Sequence, residues 1–198
     1  MEKKQTTRQL QAIEARHRIR EKALELFKTT DYEDVSIADI CKYADMSVGN
    51  FYNYFISKEE LIMEFYPLFD SYVETEFACN KYVSNMEAIK YLIFKQINGA
   101  ESYGPKIFAQ MLRIQIKTNG KHVIEDTRIF HTCLKNLVQN ALNDGELEAN
   151  YSAFEISSLI LRISRGTLLD WAMSEAPYCA SERVLHDIDM LLSSIIRK

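Results

Sequence analysis

Residues 36–58, SIADICKYADMSVGNFYNYFISK, constrain the fold of this chain more than any other stretch. The first half places apolar residues at the i, i+3, i+4, i+7 spacing of a helix with one buried face: Ile37, Ile40, Cys41 and Ala44. The second half repeats the pattern over a shorter segment, at Val48, Phe51 and Phe55. Two short helices joined by a tight turn form a helix-turn-helix, whose second helix enters the major groove of DNA.

The second helix of this motif is polar on its outward side. Gly49 has no side chain and would let the helix lie close to another surface. Asn50 and Asn53 carry amides that can read base edges, those of adenine above all. Tyr52 and Tyr54 add phenol groups near the end of the helix. This outward side is therefore predicted to contact DNA.

Serine residues mark the starts of three helices. Ser36 is predicted to cap the first helix of the motif, with Asp39 completing a capping box, and Ser47 is predicted to cap the second. Ser57 is predicted to cap the helix that follows, with Lys58 in its first turn. Because a cation there opposes the helix dipole, a neighbouring phosphate explains Lys58 better than helix stability does.

Residues 20–61 resemble the DNA-binding domain of the tetracycline-repressor (TetR) family of bacterial transcription regulators, over about a fifth of the chain. The matching positions, in the family's order, are Ala23, Leu26, Phe27, Tyr32, Ser36, Ile37, Ile40, Ala44, Ser47, Gly49, Tyr52, Tyr54, Phe55, Ser57, Lys58 and Leu61. Asp31 and Asp45 stand where the family usually has glycine. Aspartate tolerates the left-handed backbone conformation better than most residues, so the turn at Asp31 can form. The replacement at Asp45, between the two helices of the motif, bears on the local geometry of that turn and not on the fold.

The resemblance implies an all-α fold with a three-helix helix-turn-helix DNA-binding domain over residues 1–60. A helical effector-binding and dimerisation domain is expected over residues 61–198, for about nine helices in all. The DNA-binding residues that we predict are Ser36, Lys42, Ser47, Val48, Gly49, Asn50, Tyr52, Asn53, Tyr54 and Lys58.

Apolar periodicity and helix-ending residues predict helices throughout the chain, without a strand-like alternation or an internal repeat. Besides the motif, the predicted ranges are 7–29, 57–81, 86–98, 105–117, 122–143, 153–173 and 182–196. Gly99 is expected to close the range 86–98, and Pro177 to separate the last two helices. Pro67 is expected to bend the helix that links the two domains, and it is a candidate flexing point.

The last two predicted helices carry more apolar surface than one face can use. Such a pair is either a buried core pair or a two-fold dimer interface, and the resemblance favours the interface. An isologous dimer would also supply two recognition helices for a palindromic DNA operator. The predicted interface residues are Leu159, Ile163, Gly166, Val184, Ile188, Leu191, Leu192 and Ile195.

Large aromatic and polar side chains of the second domain are candidates for a pocket that binds a small-molecule effector: Tyr66, Phe69, Phe94, Phe108, Met111, Gln115, Phe130 and Trp171. At helical spacing the same residues also fit a plain hydrophobic core. With 11 tyrosines and 10 phenylalanines in the chain, an aromatic or lipophilic effector is compatible with the sequence.

The net charge of −4 is unevenly distributed: residues 1–30 carry +4 and residues 31–60 carry −5. Phosphate attraction must then come from the basic N-terminal arm, which is either a DNA contact or a solvated extension, from Lys42 and Lys58, and from backbone amides. We expect modest non-specific affinity and a shallow salt dependence. The four cysteines and four histidines are scattered, so neither a disulfide, a metal site nor a cofactor is predicted.

No apolar run is long enough to span a bilayer, and the first residues lack the apolar core of a secretion signal, so a cytoplasmic location is expected. We interpret the chain as a homodimeric, sequence-specific transcriptional regulator, a repressor released by a small-molecule effector. The alternatives are a DNA-binding structural or cell-cycle protein of the same fold without an inducer, and an all-helical enzyme. Since the sequence offers no nucleophile with a base, carboxylate pair or phosphate loop, an enzyme is not expected.

Overall fold

The computed structural model describes residues 6–148, 150–175 and 178–195. These residues form α-helices and no strand, as the all-α prediction required. The helices are α1 (Thr7–Thr29), α2 (Ile37–Tyr43), α3 (Val48–Phe51), α4 (Lys58–Met63), α5 (Phe65–Cys79), α6 (Asn85–Tyr103), α7 (Pro105–Lys117), α8 (Ile129–Asn143), α9 (Ala153–Met173) and α10 (Ala180–Ile195). The chain divides into two compact units, Met1–Glu64 and Phe65–Lys198.

The first unit is a small helical domain in which α1 packs against α2, and α2 against α3. Helix α1 begins at a capping box of Thr6 and Gln9, and it buries Ile19, Ala23 and Phe27 at helical spacing. Its predicted range, 7–29, is confirmed. The buried stripe of α1 thus supplies one wall of the core around the helix-turn-helix.

The long helix predicted over residues 57–81 is two helices, α4 and α5, that meet at Glu64. Pro67 lies in the first turn of α5, and the helical break precedes it by three residues. The reason is that proline has no N–H to donate to the carbonyl four residues earlier, which here belongs to Met63, the last residue of α4. The proline therefore ends one helix upstream of itself rather than bending a continuous one.

In the second unit α6 packs against every helix from α5 to α10. The predicted end of this helix at residue 98 was wrong, because α6 continues through Gly99 to Tyr103 and stops at Gly104, where φ is 83°. A Cβ at Gly99 would lie 3.2 Å from the ring of Phe65, so the glycine allows close packing inside the helix.

The ranges predicted for α7 and α9 are confirmed, whereas α8 begins seven residues later than predicted, at Ile129 instead of His122. The intervening segment, residues 118–128, consists of turns with positive φ at Asn119 and Gly120. The predicted break at Pro177 falls outside the described residues. Helix α10 begins at Ala180, two residues before its predicted start.

Helix α10 packs against α6 and α9, and this corrects part of the predicted dimer interface. Val184, Ile188 and Leu192 are enclosed by the helices of a single chain and belong to its core. Because almost none of their surface is exposed, they are not available to a partner subunit. The prediction was wrong because an apolar stripe buries equally well within a chain or between chains. Of the described helices, none is long and apolar enough to cross a membrane.

Candidate functional site

A serine side chain caps the start of each helix of the helix-turn-helix. The Ser36 hydroxyl accepts the N–H of Asp39 at 3.1 Å, and the Asp39 carboxylate accepts the N–H of Ser36 at 2.9 Å. Ser47 caps α3 by accepting the N–H of Asn50 at 3.2 Å. In the turn between the helices Asp45 adopts a φ of 51°, the left-handed conformation that a glycine would have given more easily. The motif is therefore folded as predicted despite that replacement.

Helix α3 presents the predicted polar surface. Val48, Gly49, Asn50, Tyr52 and Asn53 are exposed. The amide nitrogen of Asn53, in the turn that follows α3, donates to the side-chain oxygen of Asn50 at 3.2 Å, which holds the two amides side by side. A Cβ at Gly49 would meet no atom of this chain within 4 Å, so the fold itself does not require a glycine here. The open space at Gly49 is compatible with the predicted close approach of an external surface.

The apolar side of the same segment anchors it to the unit. Phe51 and Phe55 are fully buried, and their rings lie 5.7 Å apart. Tyr54 is half-buried, and its backbone carbonyl accepts a hydrogen bond from Arg16 of α1. The exposed amides therefore stand on a rigid support, which is what recognition of base edges requires.

Lys58 holds the polypeptide that precedes α2. Its ammonium donates to the carbonyl oxygens of Tyr32 at 2.5 Å and Val35 at 2.7 Å, and it lies 4.1 Å from the centre of the Tyr32 ring. The sequence argument had assigned this charge to a phosphate. In the structure Lys58 also has a structural role, because these contacts fix the start of α2 at Ser36.

Two arginines of the basic arm are also engaged inside the first unit. Arg16 pairs with Glu64 at 2.7 Å, and its guanidinium lies 4.3 Å from the centre of the Phe55 ring. Arg20 pairs with the other oxygen of Glu64 at 3.1 Å. Among residues 6–64 the cations that make no ion pair are Arg8, Arg18, Lys28, Lys42 and Lys58. The basic arm thus offers fewer charges to a phosphate than its composition indicates.

The second unit contains a small, partly enclosed cavity of about 40 Å³. Its lining residues are Phe65, Tyr66, Gln96, Ala100, Phe108, Leu112, Val123, Arg128, His131, Leu161, Arg165 and Leu168. Of the eight predicted pocket residues, only Tyr66 and Phe108 line it. Phe94 is half-buried and does not line it, and the other five are buried core side chains away from the cavity: Phe69, Met111, Gln115, Phe130 and Trp171.

Arg128 is the most tightly bound charge beside this cavity. Its guanidinium forms two hydrogen bonds of 2.9 Å with the carboxylate of Asp70, and it donates to the carbonyl of His122 at 2.7 Å. The ring of His122 stacks on Tyr66 with 5.4 Å between centres. Burial, and then the charge of Arg128, lower the pKa of His131 to about 4, so this imidazole is neutral.

Side chains near the cavity also hold residues 118–128 in place. Arg165 donates to the carbonyl of Val123, and Nδ1 of His131 lies 2.8 Å from the carbonyl oxygen of Glu125. Since a carbonyl only accepts, Nδ1 must carry the proton. The side-chain oxygen of Gln115 accepts the N–H of His122 at 3.2 Å. The segment is therefore fixed largely by side-chain contacts to its backbone.

Sequence reasoning missed the polar half of this cavity. Arg165 could have been found, because it shares one helical face with Leu161 and Leu168 at i, i+4 and i+7, where a charge is out of place. Nothing in the sequence singles out Arg128 or His131, since their positions depend on how residues 118–128 fold. Among the described residues no group of three histidine, cysteine, aspartate or glutamate side chains could hold a metal ion.

Residues 19–65 match the model of the family described as bacterial regulatory proteins, tetR family. No curated protein matches the chain in a sequence comparison.

Among solved structures the chain is similar to PfmR, a TetR family transcriptional regulator from Thermus thermophilus, with 22% identity and a TM-score of 0.65 over 91% of this chain and 100% of that one. It is similar to FadR of Thermus thermophilus, a TetR family transcriptional repressor in complex with lauroyl-CoA, with 18% identity and a TM-score of 0.64 over 92% and 96%. A TetR transcription regulator from Haloarcula marismortui has 12% identity and a TM-score of 0.69 over 93% and 100%.

At these identities the likeness to solved structures establishes the fold of the whole chain. The family match covers the helix-turn-helix, including the exposed amides of α3 and the anchoring residues beneath them. Residues 19–65 therefore match the sequence model of the tetR family, and the chain shares the fold of solved TetR family regulators.

Proposed function

We propose that the protein is a homodimeric repressor that binds a palindromic operator through α3 and leaves it when a small molecule binds the second unit. The observation that carries the DNA-binding part is the pair of exposed, aligned amides of Asn50 and Asn53 beside Gly49. An asparagine amide can form two hydrogen bonds with adenine in the major groove. Neighbouring Ser47, Val48, Tyr52 and Tyr54 would fix the position of α3 on the DNA backbone.

Phosphate contacts in this proposal come from few charges. Lys42 is exposed on α2, and Arg8 and Arg18 are exposed on α1. Two of the three N–H donors of the Lys58 ammonium are already bonded to carbonyls, so at most one is left for a phosphate. The binding energy would therefore depend on base contacts and on the spacing of two recognition helices more than on bulk positive charge.

The dimer contact that we propose lies on the outer side of α9. Gly166, Leu169 and Met173 are exposed along one stripe of this helix that also contains the half-buried Leu159, while the exposed Phe154 and the half-buried Ile163 flank it. Exposed apolar residues in one row favour an interface over solvent. Helix α10 adds the exposed Met190, and Leu191 is half-buried. The side chain of Ile195, also predicted in this interface, lies outside the described residues.

The effector would act by binding one conformation of the second unit more tightly than another. A cavity of about 40 Å³ is far below the roughly 300–1,000 Å³ of ligand pockets, so the conformation described would be the one without effector. FadR of Thermus thermophilus, of the same fold, binds lauroyl-CoA. That precedent supports an expandable site in the second unit of this chain.

A second candidate function follows from the same small cavity. A filled core is what a DNA-binding protein without an inducer would have, and such a protein would share the whole first unit. Both candidates act on DNA and require no catalysis, so we propose neither an enzymatic reaction nor a cofactor. Access to the chromosome implies a cytoplasmic protein.

Binding of fluorescent DNA duplexes tests the proposal. Operator DNA, selected from the intergenic sequence upstream of the protein's own gene, is compared with a shuffled duplex. Asn50→Ala should weaken operator binding by about 1–3 kcal/mol and leave the shuffled duplex unaffected. Asn98→Ala, which removes an exposed amide from α6, is the matched control. Equal losses of affinity for both duplexes would refute the proposal that Asn50 reads a base.

A further inference from the structure

The charges of the side chains that line the cavity do not cancel. Arg128 is neutralised by Asp70, with which it forms two hydrogen bonds of 2.9 Å, and the imidazole of His131 is neutral. Arg165 is the remaining cation. In the part of the chain that the structure describes, no carboxylate lies within ion-pair distance of its guanidinium, and its one hydrogen bond is to the neutral carbonyl of Val123.

Half-burial makes this unpaired charge unfavourable. Burial lowers the pKa of Arg165, and so does the neighbouring charge of Arg128, while Tyr66 and the more distant carboxylate of Asp126 partly offset them. Arginine nevertheless remains protonated in proteins, so the positive charge persists. A guanidinium has five N–H donors in a planar arrangement that fits a carboxylate or a phosphate, and a single carbonyl uses only part of them.

Two neutral polar groups flank the same cavity. Burial raises the pKa of Tyr66 to about 12, partly offset by the charges of Arg128 and Arg165, so the phenol keeps its proton and can donate it in a hydrogen bond. The side-chain oxygen of Gln96 is buried and has no hydrogen-bond partner among the described residues. Because rotation exchanges the oxygen and nitrogen of an amide, Gln96 can offer either a donor or an acceptor.

The remaining lining is apolar: Phe65, Ala100, Phe108, Leu112, Leu161 and Leu168. At roughly 10–15 Å³ for each water, the cavity holds about three, which is the size of a polar head group and no more. An apolar body attached to that head would need the space that residues 118–128 now fill. Val123 is the member of this segment that lines the cavity, and its carbonyl is the group that now holds Arg165.

We propose that this cavity binds an organic anion, a carboxylate on an apolar body. The carboxylate would replace the Val123 carbonyl as the hydrogen-bond partner of Arg165 and so release residues 118–128. Tyr66 and Gln96 would complete the hydrogen bonds of the carboxylate, and the released segment would admit the apolar body. The inference rests on the proposed function only in identifying this anion as the effector. Binding of the anion itself does not depend on DNA.

Calorimetric titration of the full-length protein without DNA tests the proposal with three ligands that share one tail: octanoate, octanamide and octylammonium. Octanoate should bind roughly tenfold more tightly than octanamide, since a hydrogen bond to a charged group contributes about that factor, and octylammonium should bind most weakly. Arg165→Gln should weaken octanoate binding roughly tenfold. Arg162→Gln, which removes an exposed arginine from the same helix, should leave it unchanged.

Amide hydrogen exchange distinguishes release of the segment from simple binding. With octanoate, exchange in residues 118–128 should become faster, while exchange in α9 should not. Equal affinity for the three head groups, or an Arg165→Gln protein that binds octanoate as the unmodified protein does, would overturn the proposal. If circular dichroism finds Arg165→Gln unfolded, the three-ligand comparison on the unmodified protein still decides the outcome.

Failure of this inference and failure of the proposed function give different results. If the protein binds octanoate selectively but binds no operator, the anion site is supported and the regulatory function is refuted. If the protein binds its operator but shows no preference among the head groups, the regulatory function is supported and the anion site is refuted.

Discussion

Replacing Asp70 by asparagine removes the one carboxylate that neutralises Arg128. The side chains of Arg128 and Asp70 are only 7% and 16% exposed, and two hydrogen bonds of 2.9 Å join them. Breaking such a buried pair costs about 3–5 kcal/mol, because a buried charge is left without a partner. Asparagine keeps one oxygen that can accept one of the two bonds, so we expect a loss of about 3 kcal/mol in the free energy of unfolding.

Urea unfolding followed by tryptophan fluorescence measures this loss of stability in the second unit, which contains both residues of the pair. Trp171 is the single tryptophan of the chain and is buried in the second unit, so its signal reports on that unit. With a urea dependence of about 2 kcal/mol per M, the unfolding midpoint of Asp70→Asn should fall by roughly 1.5 M. Glu74→Gln changes an exposed carboxylate one turn later on α5 and should shift the midpoint little.

A double substitution separates the charge from the packing. Asp70→Leu combined with Arg128→Met removes both charges and keeps most of the volume, so it should be more stable than Asp70→Asn. If Asp70→Asn instead matched the Glu74→Gln control, the pair would contribute nothing to stability. The assignment of Arg165 as the unbalanced charge among the described residues at the cavity would then lose its support.

Further substitutions test other parts of the account. Gly49→Ala should stabilise the protein by up to about 1 kcal/mol in thermal unfolding yet weaken operator binding, and unchanged operator affinity would refute close approach to DNA. Gly166→Ala, also free of steric conflict in the chain, should weaken the dimer in sedimentation equilibrium, and an unchanged dimer would exclude this face of α9. Lys58→Met should lower both the stability of the first unit and its affinity for any DNA sequence. A loss of affinity without a loss of stability would refute the structural role of Lys58 and leave only a phosphate contact. Because the pKa of His131 is about 4 in the folded chain and 6.5 is its ordinary value, the unfolded chain binds more protons between these pH values. Stability should therefore fall by up to about 3 kcal/mol from pH 7 to pH 4, and His131→Gln, measured by the Trp171 signal in urea, should remove that part of the slope.

The first unit could be predicted from the sequence because local signals specify it. Ser36 and Ser47 cap helices where the pattern places them, and Phe51 and Phe55 fall on the buried face. The same local reasoning missed the structural role of Lys58. A cation at the start of a helix opposes the dipole, but the carbonyls of Tyr32 and Val35 that bind it lie more than twenty residues earlier in the chain.

The second unit could be predicted only in its helices, since the partners of each helix depend on tertiary packing. Gly99 resembles a helix end, yet its cost inside a helix is only about 1 kcal/mol, and close packing against Phe65 outweighs it. Val184 and Ile188 resemble a dimer interface, because periodicity does not distinguish a neighbouring helix from a neighbouring subunit. The cavity depends on residues 118–128, whose turns have no apolar period.

Selection of duplexes from a random DNA pool tests the central claim, which is sequence-specific binding by α3 in a two-fold dimer. The protein should enrich a palindromic sequence with two equal half-sites, and Asn50→Ala should relax the preference at one position of each half-site while the others persist. Enrichment of no common sequence, or the same sequence selected equally well by Asn50→Ala, would contradict the account.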